Sequence, residues 1–240
     1  MTLIVALEGQ DGIVLAADSR GTIGDPRGLT AVNDLQQKLF KLTSHSGITI
    51  SGSSELAASL ISKLQDTMSQ KGLVHVDQVA QEAVSVIQKE YFQWFGKRPW
   101  AGPQPIMDQR PSLIFLITGY NTQEGQSPMP RIYLLNNALD FALQTCSTGF
   151  MVAGIPQYAI YLIHRLYDRQ MNLKSLKGLA AYLITETASQ DPKVGGPIRM
   201  AEITPSQGYT ELEETEIKRI LQSNQKQNQR LRQFFFKGVR

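Results

Sequence analysis

Five consecutive apolar residues, Leu3-Ile4-Val5-Ala6-Leu7, follow Met1-Thr2, and the run ends at Glu8. A second apolar run, Ile13–Ala17, comes after Gly9-Gln10-Asp11-Gly12, whose Asp-Gly suits a tight reversal. The pattern predicts a hairpin of Leu3–Glu8 with Ile13–Ala17, delivering Asp18-Ser19-Arg20 just past its end. Residues 21–29 are rich in glycine and read as a loop. Lys38-Leu39-Phe40-Lys41-Leu42 alternates charged and apolar residues, as a half-buried strand does. A turn over 44–47 leads to a fourth strand over 48–51, which stops at Gly52. So many strands so close together in sequence point to antiparallel sheet.

The period then changes. Leu56, Leu60 and Leu64 recur every four residues within 53–71, and Val79, Ala83, Val86, Ile87 and Phe92 share a face within Val76–Phe95. Both stretches predict amphipathic helices. Residues 96–111, with Trp100, form a Gly/Pro-rich loop. Residues 113–120 and 131–136 read as strands around a loop over 121–130, and 141–146 as a further strand. Helices are expected over 155–170 and Leu173–Gln190, and a last hairpin over 198–204 and 208–213. Strands, two helices, strands, two helices, strands: this order suits two antiparallel sheets stacked face to face with a helix pair on each outer side. The fold class expected is α+β, a four-layer αββα sandwich, as one domain over 1–221 followed by a basic tail over 222–240.

Composition narrows the setting. Hydrophobic residues make up 42% and charged residues 19% of the 240, as in an ordinary globular chain, and a net charge of +3 is too small to argue for nucleic acid or a membrane. The single cysteine, Cys146, forbids an intrachain disulfide and fits a reducing compartment. No apolar run reaches the length of a membrane span, and the N-terminus lacks a basic segment of the kind that opens a signal peptide. The expected location is cytoplasmic, with no membrane partner.

The start of the chain carries the candidate chemistry. Removal of Met1 ahead of the small Thr2 would place a free α-amine and a β-hydroxyl on one residue. A hydroxyl is a weak nucleophile until a base takes its proton, and an α-amine with a pKa of roughly 7.7–8.0 can be that base.

Several stretches resemble one family. The run from Asp11 through Val14, Asp18 and Arg20 looks like the second-strand signature of proteasome β-type subunits. Lys38-Leu39-Phe40-Lys41-Leu42 is similar to their next strand, and Ile48-Thr49-Ile50-Ser51-Gly52 to the strand that ends beside their active site. Ser147-Thr148-Gly149 ahead of a helix, and Asp191-Pro192-Lys193-Val194-Gly195-Gly196, follow in the same order as further landmarks of that family. The resemblance spans residues 2 to about 215. It implies an N-terminal-nucleophile hydrolase fold and threonine-type peptide hydrolysis within a ring assembly. Carried over residue by residue, Thr2 is the nucleophile, Lys38 sits beside it, and Asp18 holds Lys38. The Gly52 N–H donates to the oxyanion, and Ser147 with Asp191 hydrogen-bonds the terminal amine. The substrate pocket is lined by Gly21, Thr22, Phe40, Ile50 and Ser54, with no charge among them, which implies a preference for apolar side chains. Val194 and Thr148 depart from the family pattern, in which a serine and a glycine are usual. The implied partners are a peptide or unfolded protein substrate, further copies of the chain in a ring, and an ATPase as a candidate ring partner, with no cofactor. A non-catalytic ring subunit of the same fold and an amidase acting on a small amide are the alternatives.

Other residue signals point elsewhere weakly. Taken alone, Asp18 ends a strand, Ser147 suits a helix N-cap and Asp191-Pro192 a turn start. His45, His75, His164 and Cys146 have no metal-ligand spacing. No phosphate loop and no Gly-x-Ser-x-Gly elbow is present, though a serine–histidine pair stays open. The tail is the odd feature: between Ile217 and Arg240 there are seven Lys or Arg, no Asp or Glu, and Phe234-Phe235-Phe236. It reads either as a solvated helix whose aromatic end docks on a neighbouring subunit or, less favoured, as a nucleic-acid or anionic-surface tail.

Overall fold

The computed structural model of the chain describes residues 2–24, 30–97, 110–122 and 127–237. Met1, Trp100, Arg240 and parts of the expected loops at 21–29, 96–111 and 121–130 lie outside the described residues.

In chain order the elements are β1 (Leu3–Glu8), β2 (Ile13–Ala17), β3 (Gly21–Gly24), β4 (Thr30–Asn33), β5 (Leu39–Thr43), β6 (Ser46–Gly52), α1 (Ser54–Lys71) and α2 (Val76–Phe95). They continue with β7 (Leu113–Asn121), β8 (Met129–Asn136), β9 (Gln144–Thr145), β10 (Phe150–Gly154), α3 (Gln157–Leu166), α4 (Leu173–Gln190), β11 (Arg199–Thr204), β12 (Gly208–Glu211) and α5 (Glu214–Lys237).

Two five-stranded antiparallel sheets result, ordered β10-β1-β2-β11-β12 and β5-β6-β7-β8-β9, with β3-β4 as a separate ribbon. The β1–β2 hairpin forms as the sequence predicts, in the register Ile4↔Ala17 to Glu8↔Ile13. Its apolar runs are unbroken because both of its faces are buried. Successive side chains point to opposite faces. Leu3, Val5, Leu7, Val14 and Ala16 pack toward α3 and α4, while Ile4, Ala6, Ile13, Leu15 and Ala17 pack toward the other sheet. Ile48, Ile50, Phe115 and Ile117 of the second sheet meet Leu60, Leu64, Val79 and Ile87 of α1 and α2. Three cores between four layers are the αββα sandwich, and each fully buried Leu, Ile or Val in them contributes roughly 1.5–3 kcal/mol of hydrophobic burial.

The structure departs from the sequence expectations in four places. Part of the expected loop after Arg20 is the β3–β4 ribbon, paired from Gly21↔Asn33 to Gly24↔Thr30. The strand expected over 141–146 shrinks to Gln144–Thr145, because Phe141 has φ 58°, outside any strand conformation. Residues 150–154, ahead of the expected helix, form β10, which pairs with β1 from Leu3↔Gly154 to Leu7↔Phe150. Without β10, β1 would present a buried row of unpaired N–H and C=O groups, which a core does not tolerate. The following helix is accordingly shorter, Gln157–Leu166. Finally, α5 runs without a break through the boundary drawn at 221/222.

Candidate active site

Thr2 lies at the mouth of the β1–β2 hairpin and is buried. Antiparallel pairing of Ile4 with Ala17 brings Asp18 beside Leu3, so a local hairpin alone places this carboxylate next to Thr2. Asp18 has no solvent exposure. Its Oδ1 accepts the Leu3 N–H at 3.0 Å and Lys38 Nζ at 2.9 Å. Its Oδ2 accepts the Arg20 N–H at 3.1 Å and the Gly195 N–H at 3.0 Å. Both oxygens are thus satisfied, as a buried carboxylate requires.

Lys38 arrives from the other sheet. Its carbonyl accepts the Ile50 N–H at 3.0 Å and Thr49 Oγ1 at 2.7 Å, which pins its backbone to β6 just before β5. The side chain then crosses between the sheets. Nζ donates to Asp18 Oδ1, to the Arg20 carbonyl at 2.7 Å and to Thr2 Oγ1. An ammonium has three N–H groups, and all three find acceptors here. Burial lowers the pKa of Lys38 below the ordinary lysine value, opposed by the charge of Asp18 and the hydrogen bond to it. The group is therefore a cation held in a site that makes its proton easier to lose than usual, in contact with the threonine hydroxyl.

Two glycines shape the surroundings. Gly154 has φ 95°, and a Cβ there would overlap the Thr2 carbonyl oxygen, which also accepts the Ile155 N–H at 2.8 Å. Gly52, with φ 117°, ends β6, where a Cβ would overlap the Ser112 carbonyl oxygen. Only glycine adopts such backbone at such close approach without strain. A cavity of about 150 Å³ opens beside Thr2 and Lys38, lined by Gly21, Thr22, Ile50, Gly52 and Ser54 among the residues expected from the sequence. Arg20, Ile23, Gln36, Ser53 and Glu55 line it as well. The expectation of a wall without charge is thereby corrected: Arg20 and, in the first turn of α1, Glu55 stand at the cavity. Phe40 does not line it. One step along β5 from Leu39, which points between the sheets, Phe40 packs instead against the core under α1 and α2.

Of the two further expected residues, Ser147 stands apart from Thr2. Ser147 is exposed and precedes Gly149, whose carbonyl accepts the Glu8 N–H at 2.7 Å. It therefore belongs to the opposite end of β1, six residues or about 20 Å of extended strand from Thr2. It cannot hydrogen-bond an amine on Thr2. β10 is the reason, since it carries the chain back along β1 and leaves Gly154 against Thr2. Thr148, also exposed, donates to the Phe150 carbonyl at 3.1 Å. Asp191 ends α4, and its Oδ1 accepts the Lys193 N–H at 2.8 Å, organising its own turn. That turn buries Val194 in the apolar core and aims the Gly195 N–H at Asp18.

Besides Glu55, sequence reasoning gives no role at the site to Gly154, Gly195 or Arg20. Arg20 grips Asp34 side-on, its Nε and Nη2 donating to the two carboxylate oxygens at 2.8 and 2.9 Å, and its Nη1 donates to the Pro192 carbonyl at 3.0 Å. It ties the 191–196 turn to the segment that leads into Lys38. The hydrogen bond from Arg20 holds the Asp34 carboxyl below its usual range. The adjacency Asp18-Ser19-Arg20 is the signal that could have found it.

Among the described residues no group of acidic, histidine or cysteine side chains could hold a metal ion, and no helix is long and apolar enough to cross a membrane.

Comparison with known proteins agrees with this geometry. A family model described as proteasome subunit matches residues 2–103, which hold Thr2, Asp18, Lys38 and Gly52. A proteasome subunit beta of Methanosphaera stadtmanae is 26% identical over 223 residues, covering 92% of this chain and 96% of its own. One of Haloquadratum walsbyi is 26% identical over 204 residues, covering 85% of this chain and 73% of its own. One of Methanopyrus kandleri is 23% identical over 222 residues, covering 92% and 95%. With similarity that runs over most of the chain, and with the αββα sandwich that carries the matched segment, the chain is similar to proteasome β-type subunits.

Proposed function

We propose that the chain is a threonine-type peptidase that uses Thr2 as its nucleophile once the residue ahead of it is removed. The observation that carries this reading is the buried chain Thr2 Oγ1, Lys38 Nζ, Asp18 Oδ1, in which the lysine contacts the hydroxyl directly. In the reaction, Thr2 Oγ1 attacks the peptide carbonyl carbon, and its proton passes to the free α-amine of Thr2. The Lys38 ammonium stabilises the negative charge that builds on Oγ1. The Gly52 N–H, at the cavity, is the donor proposed for the tetrahedral oxyanion. Collapse breaks the C–N bond, the leaving amine takes the proton, and an ester to Thr2 remains. Water then hydrolyses the ester, with the α-amine again as base.

The cavity supports a small or medium apolar side chain before the cut bond, resting on Ile50, with Glu55 at the wall. Peptides or unfolded proteins are the substrates this implies, and further copies of the chain in a ring the assembly, with an ATPase as a candidate partner and the cytoplasm as the setting.

The test is the intact mass of the purified protein with and without a peptide epoxyketone, a reagent directed at N-terminal threonines. The expected result is a mature chain starting at Thr2 that takes one equivalent of reagent, and a Thr2→Ala variant that takes none and cleaves no peptide. Active material that retains Met1 would overturn the reading, because Thr2 would carry an amide nitrogen and no base.

A further inference from the structure

The helix α5 is longer than the body it packs on. Its 24 residues span about 36 Å. It runs parallel to α4: Lys177 pairs with Glu216 at 2.6 Å, Asn224 Nδ2 donates to the Gly178 carbonyl at 2.9 Å, and Asn228 Nδ2 to Glu186 Oε1 at 3.1 Å. α4 stops at Gln190, four residues past Glu186, so from about Arg232 onward α5 has no α4 beside it. The packing seam nevertheless continues. Ile217, Leu221, Asn224, Asn228, Leu231 and Phe235 follow one another in alternating steps of four and three residues, the spacing that keeps one helix stripe facing a partner. Within that stripe Ile217 is buried and both asparagines bond to α4, whereas Leu231 is 54% and Phe235 73% exposed, with Phe234 beside them at 55%. The same stripe is thus used for docking in its first half and left apolar and uncovered in its second.

Charge says what covers it. After Glu216 the chain holds seven of its 24 Lys and Arg and none of its 21 Asp and Glu, so the preceding body carries 17 basic against 21 acidic residues. A basic arm on an acidic body is complementary to another copy of the same molecule. We propose that the distal part of α5 is a docking arm that seats the Leu231, Phe234 and Phe235 face on the body of a second copy of this chain. Apolar burial supplies the adhesion. Lys226, Arg230 and Arg232 add attraction to the acidic surface, which salt weakens. The arm rests on the self-assembly part of the proposed function and not on its chemistry, so Thr2→Ala leaves it intact.

The experiment is sedimentation velocity on the full chain and on a Leu231→Ser/Phe235→Ser variant. The expected result is an assembly whose mass falls at least twofold in the variant and in Thr2→Ala does not change. A synthetic peptide of residues 214–237 should reproduce the fall in the unmodified protein. Should the double variant fail to fold by circular dichroism, truncation after Asn228 keeps both asparagine contacts with α4 and reads the same quantity. An unmodified protein that is monomeric, or an assembly unchanged by the double variant and the truncation, would overturn the proposal. So would an unchanged mass with loss of a salt-sensitive gel shift on duplex DNA or of cosedimentation with anionic vesicles, either of which would give the arm to another partner.

Discussion

Each end of β1 carries a carboxylate beside a cation, yet the two ends are built for different tasks. At the Thr2 end, Asp18 and Lys38 have side chains 0% and 6% exposed. At the other end, Glu8 is 10% exposed while Arg169, which donates to it at 2.5 and 2.8 Å, is 57% exposed. Water screens the second pair and leaves it a clamp between β1 and the segment after α3, together with Tyr167, whose hydroxyl lies 2.7 Å from the Glu8 carbonyl. Burial pushes the Tyr167 phenol up to about 12, so it stays a donor. The first pair has no water to relieve it. Its lysine must find protein acceptors for every N–H, and one of those acceptors is a hydroxyl. The comparison teaches that an ion pair becomes chemically useful here through burial of the cation, not through the identity of the charges.

That contrast can be broken at four points. The largest effect is expected at Lys38. Lys38→Ala should lower peptide hydrolysis by at least about 10²–10³-fold, the scale on which removal of a group that stabilises developing negative charge is felt. Activity within tenfold of the unmodified protein would remove Lys38 from the mechanism.

Next comes Asp18→Asn. Breaking a buried pair on one side costs about 3–5 kcal/mol, which denaturant unfolding would register as a large fall in midpoint. The same change removes the charge that raises the Lys38 pKa, so Lys38 should titrate lower still in a resolved lysine NMR titration. The sign for stability follows. The folded value of Lys38 lies below its unfolded one, so the unfolded chain binds more protons between the two, and this group's contribution to stability rises with pH across that window. An upward shift of Lys38 in Asp18→Asn would contradict the assignment of causes.

A third substitution, Gly154→Ala, forces a Cβ into the Thr2 carbonyl at a φ of 95°. Activity should drop more than stability does, because the displaced residue is the proposed nucleophile. Crystallography of the variant should show Thr2 Oγ1 moved away from Lys38 Nζ, and an unmoved hydroxyl would argue against the contact being sensitive. The smallest effect belongs to Arg169→Ala. An exposed pair is worth about 0.2–1 kcal/mol, so the melting midpoint should fall by a few degrees at most and peptide hydrolysis should stay within twofold. A collapse of activity there would mean that the two ends of β1 are coupled.

Much of the site is legible in the sequence. The hairpin follows from two apolar runs and an Asp-Gly reversal, and it brings Asp18 to Leu3 by local pairing alone. Lys38 is legible because it opens an alternating strand. Ser147 is not, because its placement beside Thr2 holds only if Phe150-Met151-Val152-Ala153 is no strand. The alternation of that stretch is weak but present: Phe150 and Val152 pack toward the helices, and Met151 and Ala153 between the sheets. Glu55 escapes a sequence reading because a residue in the first turn of α1 looks like a solvated helix start.

Local pattern therefore determined the layers, the hairpin and the charged residues that a buried threonine would need, since a side-chain period of two or of 3.6 is a property of the chain next to itself. Tertiary structure decided which strand covers the open edge of β1, that Gly154 abuts Thr2, and that the turn at Gly195 supplies the fourth donor to Asp18. Those contacts join residues far apart in sequence, where no period connects them, and only the need to pair every buried N–H and C=O selects one partner over another.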